Sequence, residues 1–389
     1  MFTIETLNSI SPKGLERLPS SLFQVVEPDA DVQPDGILVR SANLLDAEVP
    51  ESLLAIARAG AGVNNIPVDR CSEAGIVVFN TPGANANAVK ELVLGGLVLA
   101  SRNVAGGMEW TASIAGEGEA VPKLVEKGKG KFAGPELAGK TLGVIGLGAI
   151  GVKVANMATH LDMEVLGYDP FISIESAWNL TRRVKPSVTL SDVIQNSDYI
   201  SLHLPVNADT KEIINKDTIA QMKQGARILN FARGELVDNA ALLTALKNGR
   251  LGCYVTDFPS ADLIGKPGVV CIPHLGASTP ESEENCAVMA ADQLREYLLN
   301  GNIINSVNLP NVSVPKNGGS RICVINRNAK GILAGLTAVL NGAGLNIENM
   351  TNKSRGDYAY TMIDVEGAAD AAAVEAIRTV EGVIRVRVI

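Results

Sequence analysis

The stretch Thr141 to Gly151, TLGVIGLGAIG, constrains the fold more than any other part of the chain. Its apolar run Leu142 to Ile145 reads as a buried strand and breaks at Gly146-Leu147-Gly148-Ala149-Ile150-Gly151, where a helix-forming pattern begins. Strand, G-x-G-x-x-G turn and helix in that order form a dinucleotide-binding arrangement. Gly146 permits the tight turn, Gly148 lets a pyrophosphate approach the backbone, and Gly151 lets the helix pack closely on its strand. The helix N-terminus adds unpaired N–H groups and the positive end of a dipole. A second strand, Glu164 to Tyr168, ends in Asp169, 18 residues beyond Gly151 (169 minus 151). A carboxylate at that distance reaches an adenosine ribose 2′-hydroxyl and favours NAD over NADP.

A chain of 389 residues exceeds what one core usually serves, so two or three domains are expected. The net charge of −8 and only 15 aromatic residues (7 Phe, 6 Tyr, 2 Trp) give no basic, stacking surface for nucleic acid. No apolar run reaches ~18 uncharged residues, and MFTIETLNSISPK lacks a charged start followed by an apolar core. No membrane partner is therefore expected, and a cytoplasmic location is. The cysteines Cys71, Cys253, Cys271, Cys286 and Cys323 are odd in number and never spaced as C-x-x-C, which argues against a disulfide framework and a metal site. Only His160, His203 and His274 are available to histidine-dependent chemistry.

Ahead of the nucleotide motif, Gly36 to Arg40 and Gly75 to Thr81 read as parallel strands, with a helical pattern at Ser52 to Ala57 between them. The loop Arg58 to Asn65, RAGAGVNN, fits either an anion held on backbone amides or an ordinary turn. Ala88 to Ser101 forms a long apolar helix, and residues 106 to 135 are glycine-rich with lysines at 127, 129 and 131. Beyond the motif, strands at Tyr199 to His203, Arg227 to Phe231, Tyr254 to Thr256 and Val269 to Ile272 alternate with helices such as Asn239 to Asn248. An amphipathic helix, Glu283 to Asn300, and a linker-like segment, Asn311 to Ser320, follow. The last 70 residues read strand, helix, strand, strand, helix, strand, a ferredoxin-like βαββαβ order without a candidate catalytic histidine.

Three separated places carry candidate chemistry: Arg233 in ILNFARGELVD, Asp257 and Asp262 in VTDFPSAD, and His274 in IPHLGAST. A parallel sheet brings such strand ends to one edge. Hydride transfer from a secondary alcohol needs a base for the hydroxyl proton, a cation for a substrate carboxylate and an acid that orients the base. Histidine, arginine and aspartate can fill those roles, although a lone histidine also occurs as a purely structural residue.

The segments RAGAGVNNI, NTPGANANAVKEL, TLGVIGLGAIG, GYDP, LHLP, FARGELVD and PHLGAST together resemble the D-isomer-specific 2-hydroxyacid dehydrogenase family, with a terminal segment similar to an ACT domain. The resemblance implies an α/β fold in which a Rossmann-like doubly wound nucleotide domain, 94–287, is inserted in a flavodoxin-like substrate domain, 1–93 with 288–312. A ferredoxin-like ACT domain, 319–389, follows. It also implies a homodimer or homotetramer, and oxidation of 3-phospho-D-glycerate to 3-phosphooxypyruvate, which opens serine biosynthesis. Dehydrogenation of another D-2-hydroxy acid (glycerate, lactate or 2-hydroxyglutarate) and an NADH-binding corepressor-like role are the alternatives.

By position, the resemblance gives Arg233 the substrate carboxylate and His274 the proton. Asp262 stands at the family's glutamate and Asp257 at its carboxamide contact. Aligning Phe258 on the family's phenylalanine would put Ala261 at the acid instead, and Asp262 is favoured because His274 otherwise lacks a partner. The other implied cofactor contacts are Thr81, Ala149, Ile150, Leu204, Phe231, Ala232, Leu275, Gly276 and Ala277. Arg58, Ala59, Gly60 and Lys129 match substrate-binding positions, Lys129 toward the phosphate. In the ACT-like tail, Asn326, Asn328 and Asn346 match an amino-acid site, with Asn326 where serine-inhibited relatives carry histidine, so L-serine is the implied effector.

Overall fold

The computed structural model describes residues 1–28, 33–316 and 319–389. They form two compact units, Met1–Ala84 with Glu283–Ile389, and Asn85–Ser282.

The first unit opens with five parallel strands: β1 (Phe2–Leu7), β2 (Phe23–Val26), β3 (Gly36–Val39), β4 (Ala55–Arg58) and β5 (Val77–Phe79), in the order β2-β1-β3-β4-β5. This is the flavodoxin-like order. Both faces are buried, as parallel sheets require. Leu38 and Phe79 join Ala287, Ala290 and Leu294 of the helix Pro280–Asn300 on one side, while Ile37, Val39, Ile56 and Val78 form a core with Cys71 and Ile76 on the other. The helical pattern expected at Ser52 to Ala57 is corrected by β4. Ala55, Ile56 and Ala57 are fully or almost fully buried between two strands, and so short an apolar run carries no period that separates strand from helix.

The same unit ends in an antiparallel sheet of β13 (Ser320–Arg327), β14 (Ile347–Arg355), β15 (Tyr358–Val365) and β16 (Val383–Val388), ordered β14-β15-β13-β16, with helices Ile332–Gly342 and Ala371–Arg378. This is the βαββαβ arrangement of the tail. Alternate residues face opposite ways. Ile322, Val324, Ile363 and Val386 pack on the two helices, whereas Cys323, Ile325, Tyr360 and Met362 join the core around Tyr297, Leu298 and Leu309.

Polar bonds fix this second face. The Tyr360 hydroxyl donates to the Gly301 carbonyl at 2.6 Å, and the Arg387 guanidinium donates to Leu298 O at 2.9 Å while lying 4.7 Å over the Tyr297 ring. Arg321 is fully buried, and all five N–H donors of its guanidinium are used. Two reach Asp364 at 2.6 and 2.8 Å, and three reach the carbonyls of Asn300, Val314 and Pro315. The expected linker is therefore bonded in place over its described part, with Val312 bridged to Ile303 and Val314 N–H donating to Asn302. Its residues 317 and 318 lie outside the described residues.

The second unit is one seven-stranded parallel sheet: β6 (Thr141–Ile145), β7 (Glu164–Tyr168), β8 (Val184–Pro186), β9 (Tyr199–Leu202), β10 (Ala226–Asn230), β11 (Leu251–Thr256) and β12 (Val269–Cys271). Its order is β12-β11-β10-β9-β6-β7-β8, the doubly wound order with its switch between β6 and β9. The helix Ala86–Ser101 covers one face through Val89, Val93 and Leu97. The glycine-rich stretch after it is mostly helical, at Val104–Ser113 and Val121–Gly128. Among the described residues no helix is long and apolar enough to cross a membrane.

Asp364→Ala should lower the unfolding free energy by about 3–5 kcal/mol, because it strands a buried guanidinium without its counter-charge. The exposed Arg378–Glu375 pair offers the contrast: Arg378→Ala should change stability by no more than about 0.5 kcal/mol. Denaturant midpoints of the two variants check the difference.

Candidate active site

In the second unit every expected residue of the sheet's carboxyl edge follows a strand end. At the end of β6, Gly146 has φ +93°, and a Cβ there would come 2.5 Å from the His203 carbonyl oxygen. A Cβ on Gly151 would lie 1.9 Å from the Gly146 oxygen, whereas one on Gly148 would meet nothing within 4 Å. The outer two glycines thus make the turn, and the middle one leaves its backbone open. The helix Ala149–Thr159 starts at Gly148 with no side chain capping it, so its first N–H groups suit a phosphate. Asp169, after β7, accepts from Leu147 N–H at 2.8 Å and Phe171 N–H at 2.9 Å. These bonds lock the carboxylate beside the turn.

After β9, Ser201 Oγ lies 2.8 Å from His203 Nε2, and burial pushes the His203 imidazole down to about 3. A ring that stays neutral so far below pH 7 cannot exchange protons there. His160 sits at the far end of the Ala149–Thr159 helix, bonded to Asn156 O. His274, by contrast, is exposed at this edge.

The backbone of Arg233 is held by a residue that sequence reasoning missed. Asn230, fully buried at the end of β10, donates through Nδ2 to Arg233 O at 2.8 Å and accepts on Oδ1 from Ala232 N–H at 3.2 Å and Arg233 N–H at 3.4 Å. The signal is present in the sequence, since an amide closing a buried strand after Ile228-Leu229 needs hydrogen-bond partners. The exposed Arg233 guanidinium bonds only to Ala232 O among the recorded contacts.

Beyond β11, Asp257 is 1% exposed. Its Oδ2 accepts from Gly276 N–H at 3.1 Å, and its Oδ1 is buried without a partner. Burial raises its pKa, opposed by the Gly276 N–H and by the charges of His274 and Arg233. The His274 ring lies 4.7 Å from Phe258. Asp262, by contrast, is exposed, and donation from Ser260 Oγ at 2.6 Å and Asn239 Nδ2 at 3.0 Å lowers its pKa. The structure therefore brings Arg233, Asp257 and His274 into one electrostatic group, and the bonds recorded for Asp262 run elsewhere. Lys129, also exposed, is paired with Glu126 at 2.5 Å. Among the described residues no cluster of three or more histidines, cysteines or carboxylates could hold a metal ion.

In the first unit Arg58, the last residue of β4, donates from Nε to Arg40 O at 3.0 Å and from Nη1 to Gly62 O, the second bond closing the loop that follows it. The amides of Ala59 and Gly60 are committed to Val39 O and Arg58 O. Thr81 N–H holds Gly60 O at 3.1 Å, and the fully buried Thr81 hydroxyl has no partner.

Residues 100–276 match the D-isomer specific 2-hydroxyacid dehydrogenase, NAD binding domain. The chain is 34% identical to the D-3-phosphoglycerate dehydrogenase of Haemophilus influenzae over 99% of this chain and 94% of that one. It is 38% identical to the D-3-phosphoglycerate dehydrogenase of Methanocaldococcus jannaschii over 75% of this chain, and it spans about half, 54%, of that relative's length. The solved structure of an NAD-bound 3-phosphoglycerate dehydrogenase from Entamoeba histolytica superposes with a TM-score of 0.61 at 27% identity, covering 79% of this chain and 98% of that one.

The residues present fit NAD: an open Gly148, an uncapped helix start, a fixed Asp169 and the orphaned Asp257 Oδ1, which suits an amide N–H donor. Gly151→Ala should weaken NADH binding at least tenfold in a fluorescence titration, because the Gly146 carbonyl has to move. At equal low concentration NADP should support far less turnover than NAD, since its 2′-phosphate would face the Asp169 carboxylate. Equal turnover would remove that role from Asp169.

Proposed function

The chain belongs to the D-isomer-specific 2-hydroxyacid dehydrogenase family, and on that premise we propose that it oxidises 3-phospho-D-glycerate to 3-phosphooxypyruvate, the reaction that opens serine biosynthesis, in the cytoplasm. The observation that carries the reading is the grouping of Arg233, Asp257 and His274 at one sheet edge beside the dinucleotide turn. NAD, when bound, supplies the hydride acceptor. The Arg233 guanidinium binds the substrate carboxylate and polarises the C2 oxygen, with its backbone fixed by Asn230. His274 takes the hydroxyl proton as the carbinol becomes a carbonyl. Arg58 and Lys129 are the cations proposed for the substrate's anionic groups, and Thr81 offers a hydroxyl to the cofactor.

The two aspartates divide the remaining work. Asp257 is spent beneath Gly276 and keeps one oxygen for a carboxamide N–H. Asp262 accepts from neutral donors that hold it ionised, so it keeps the charge needed to stabilise a His274 imidazolium. Its exposed side chain then exchanges one of its present partners for the histidine.

The antiparallel tail is proposed as a serine site built from two chains. Asn326 pairs with Ala359, whereas Asn346 precedes Ile347, which pairs with Val365. Six residues along β15 are about 20 Å, so one chain does not gather both. Asn328 Nδ2 donates to Gly356 O, and Asn346 Nδ2 donates to Glu366. A homodimer that sets one tail beside the other would bring the start of one β14 to the Asn328 end of its neighbour.

His274→Ala should lose kcat by the order of 10²-fold or more with NADH affinity largely kept. Asp262→Asn should move the acidic limb of the pH–rate profile downward: losing the carboxylate lowers the histidine pKa, so the base form persists to lower pH. An unmoved limb would hand the role to Asp257. NADH consumption with phosphooxypyruvate, glyoxylate and pyruvate distinguishes the phosphorylated substrate from other 2-oxo acids, and no consumption with any of them would favour a corepressor-like role. Millimolar L-serine should inhibit, and Asn328→Ala or Asn346→Ala should relieve that inhibition.

A further inference from the structure

The hairpin between β14 and β15 faces the end of β5 across a depression of about 460 Å³. Asn80, Pro82, Asn305, Asn311, Ser354 and Arg355 line it, and no lining residue is a carboxylate. The volume lies in the range of small-molecule sites. Arg355 donates from Nη1 to Ser306 O at 2.7 Å, the one bond recorded for its guanidinium among the described residues. Its Nε and Nη2 are the fork that matches a carboxylate or a phosphate. A second cation stands nearby, since Lys353 Nζ donates to the Asn311 carbonyl at 3.0 Å. Ser354 and three asparagine amides supply neutral hydrogen-bonding groups around the two charges.

We propose that this depression binds a small oxyanion, a phosphate or a carboxylate, through Arg355, and that the bound anion ties the β14–β15 hairpin to the segments 80–82 and 305–311. The site is separate from Asn326, Asn328 and Asn346, none of which lines it. Its position carries a consequence for the substrate loop. Asn80 Nδ2 donates to Ala61 O at 2.6 Å, and the next residue, Thr81, holds Gly60 O. An anion seated against Asn80 therefore braces the peptide that holds the Arg58–Gly62 loop.

Isothermal titration of the full chain with inorganic phosphate and with malonate, at ionic strength balanced by sodium chloride, tests the proposal. Two variants remove the site in different ways. Arg355→Gln takes away the fork, and Ser354→Glu keeps the arginine but supplies a tethered carboxylate beside it. A saturable component should appear in the wild type and weaken at least tenfold in both variants, while anion binding elsewhere on the chain stays common to all three. Ser354 is exposed, so the melting temperature of its variant without anion should match the wild type and exclude misfolding. Phosphate alone binding would assign a phosphate ester, malonate alone a carboxylate, and both an unselective oxyanion site. Equal titrations in the three proteins, or no saturable component in the wild type, would overturn the proposal.

Discussion

The contact on which the nucleotide unit depends is between two glycines. The Gly146 carbonyl oxygen occupies the place where any side chain on Gly151 would begin, 1.9 Å from its Cβ position. Helix Ala149–Thr159 therefore leaves β6 through the short turn Gly146 to Gly148, and its N-terminus is held at the sheet's carboxyl edge. Because β6 is the strand at which the winding order reverses, its neighbour β9 delivers His203 to the same edge, close enough for the His203 carbonyl to demand a glycine at 146. From there the parallel order does the rest. Each further strand ends on that edge, so Arg233, Asp257 and His274 converge although they are distant in sequence.

A different constraint governs the other unit. An antiparallel sheet usually keeps one face for water, but the terminal sheet buries Cys323, Ile325, Tyr360 and Met362 as well as its helix-facing side. Burying a guanidinium is costly unless every donor finds an acceptor, and Arg321 meets that condition only because the carbonyls of Asn300, Val314 and Pro315 lie beside Asp364. The sheet and the 300–315 segment therefore hold each other's geometry. The linker-like composition expected for 311–320 goes, over residues 311–316, with a lack of regular structure and not with freedom to swing.

Sequence patterns carried most of this fold. The glycine motif, the alternation of strands and helices after it and the βαββαβ tail each have a period or a spacing that survives in one dimension. What stayed hidden was short or relational. β1, β2 and β8 are strands of three to six residues, and Ala55–Arg58 is four residues whose burial, rather than its period, makes it a strand. At the candidate site, residue types and positions were legible, but orientation was not. Arg58 donates to the Arg40 and Gly62 carbonyls, and Asn230 shows its role only once the turn it braces has formed. Asn326 and Asn346 are near in sequence and far apart along the sheet, which no composition could reveal.

The pair of aspartates shows how environment assigns chemistry to identical side chains. Asp257 and Asp262 follow the same strand, one buried under the Gly276 amide and the other in solvent between Ser260 and Asn239. Burial makes the first reluctant to ionise, while two neutral donors keep the second charged to lower pH. Groups whose environments push their pKa values apart are suited to different tasks. A reluctant carboxylate with one orphaned oxygen answers to an uncharged N–H donor that arrives with a ligand. A persistently charged carboxylate suits a cation that forms during a reaction, which in the proposed mechanism is the imidazolium of His274, while burial holds His203 neutral.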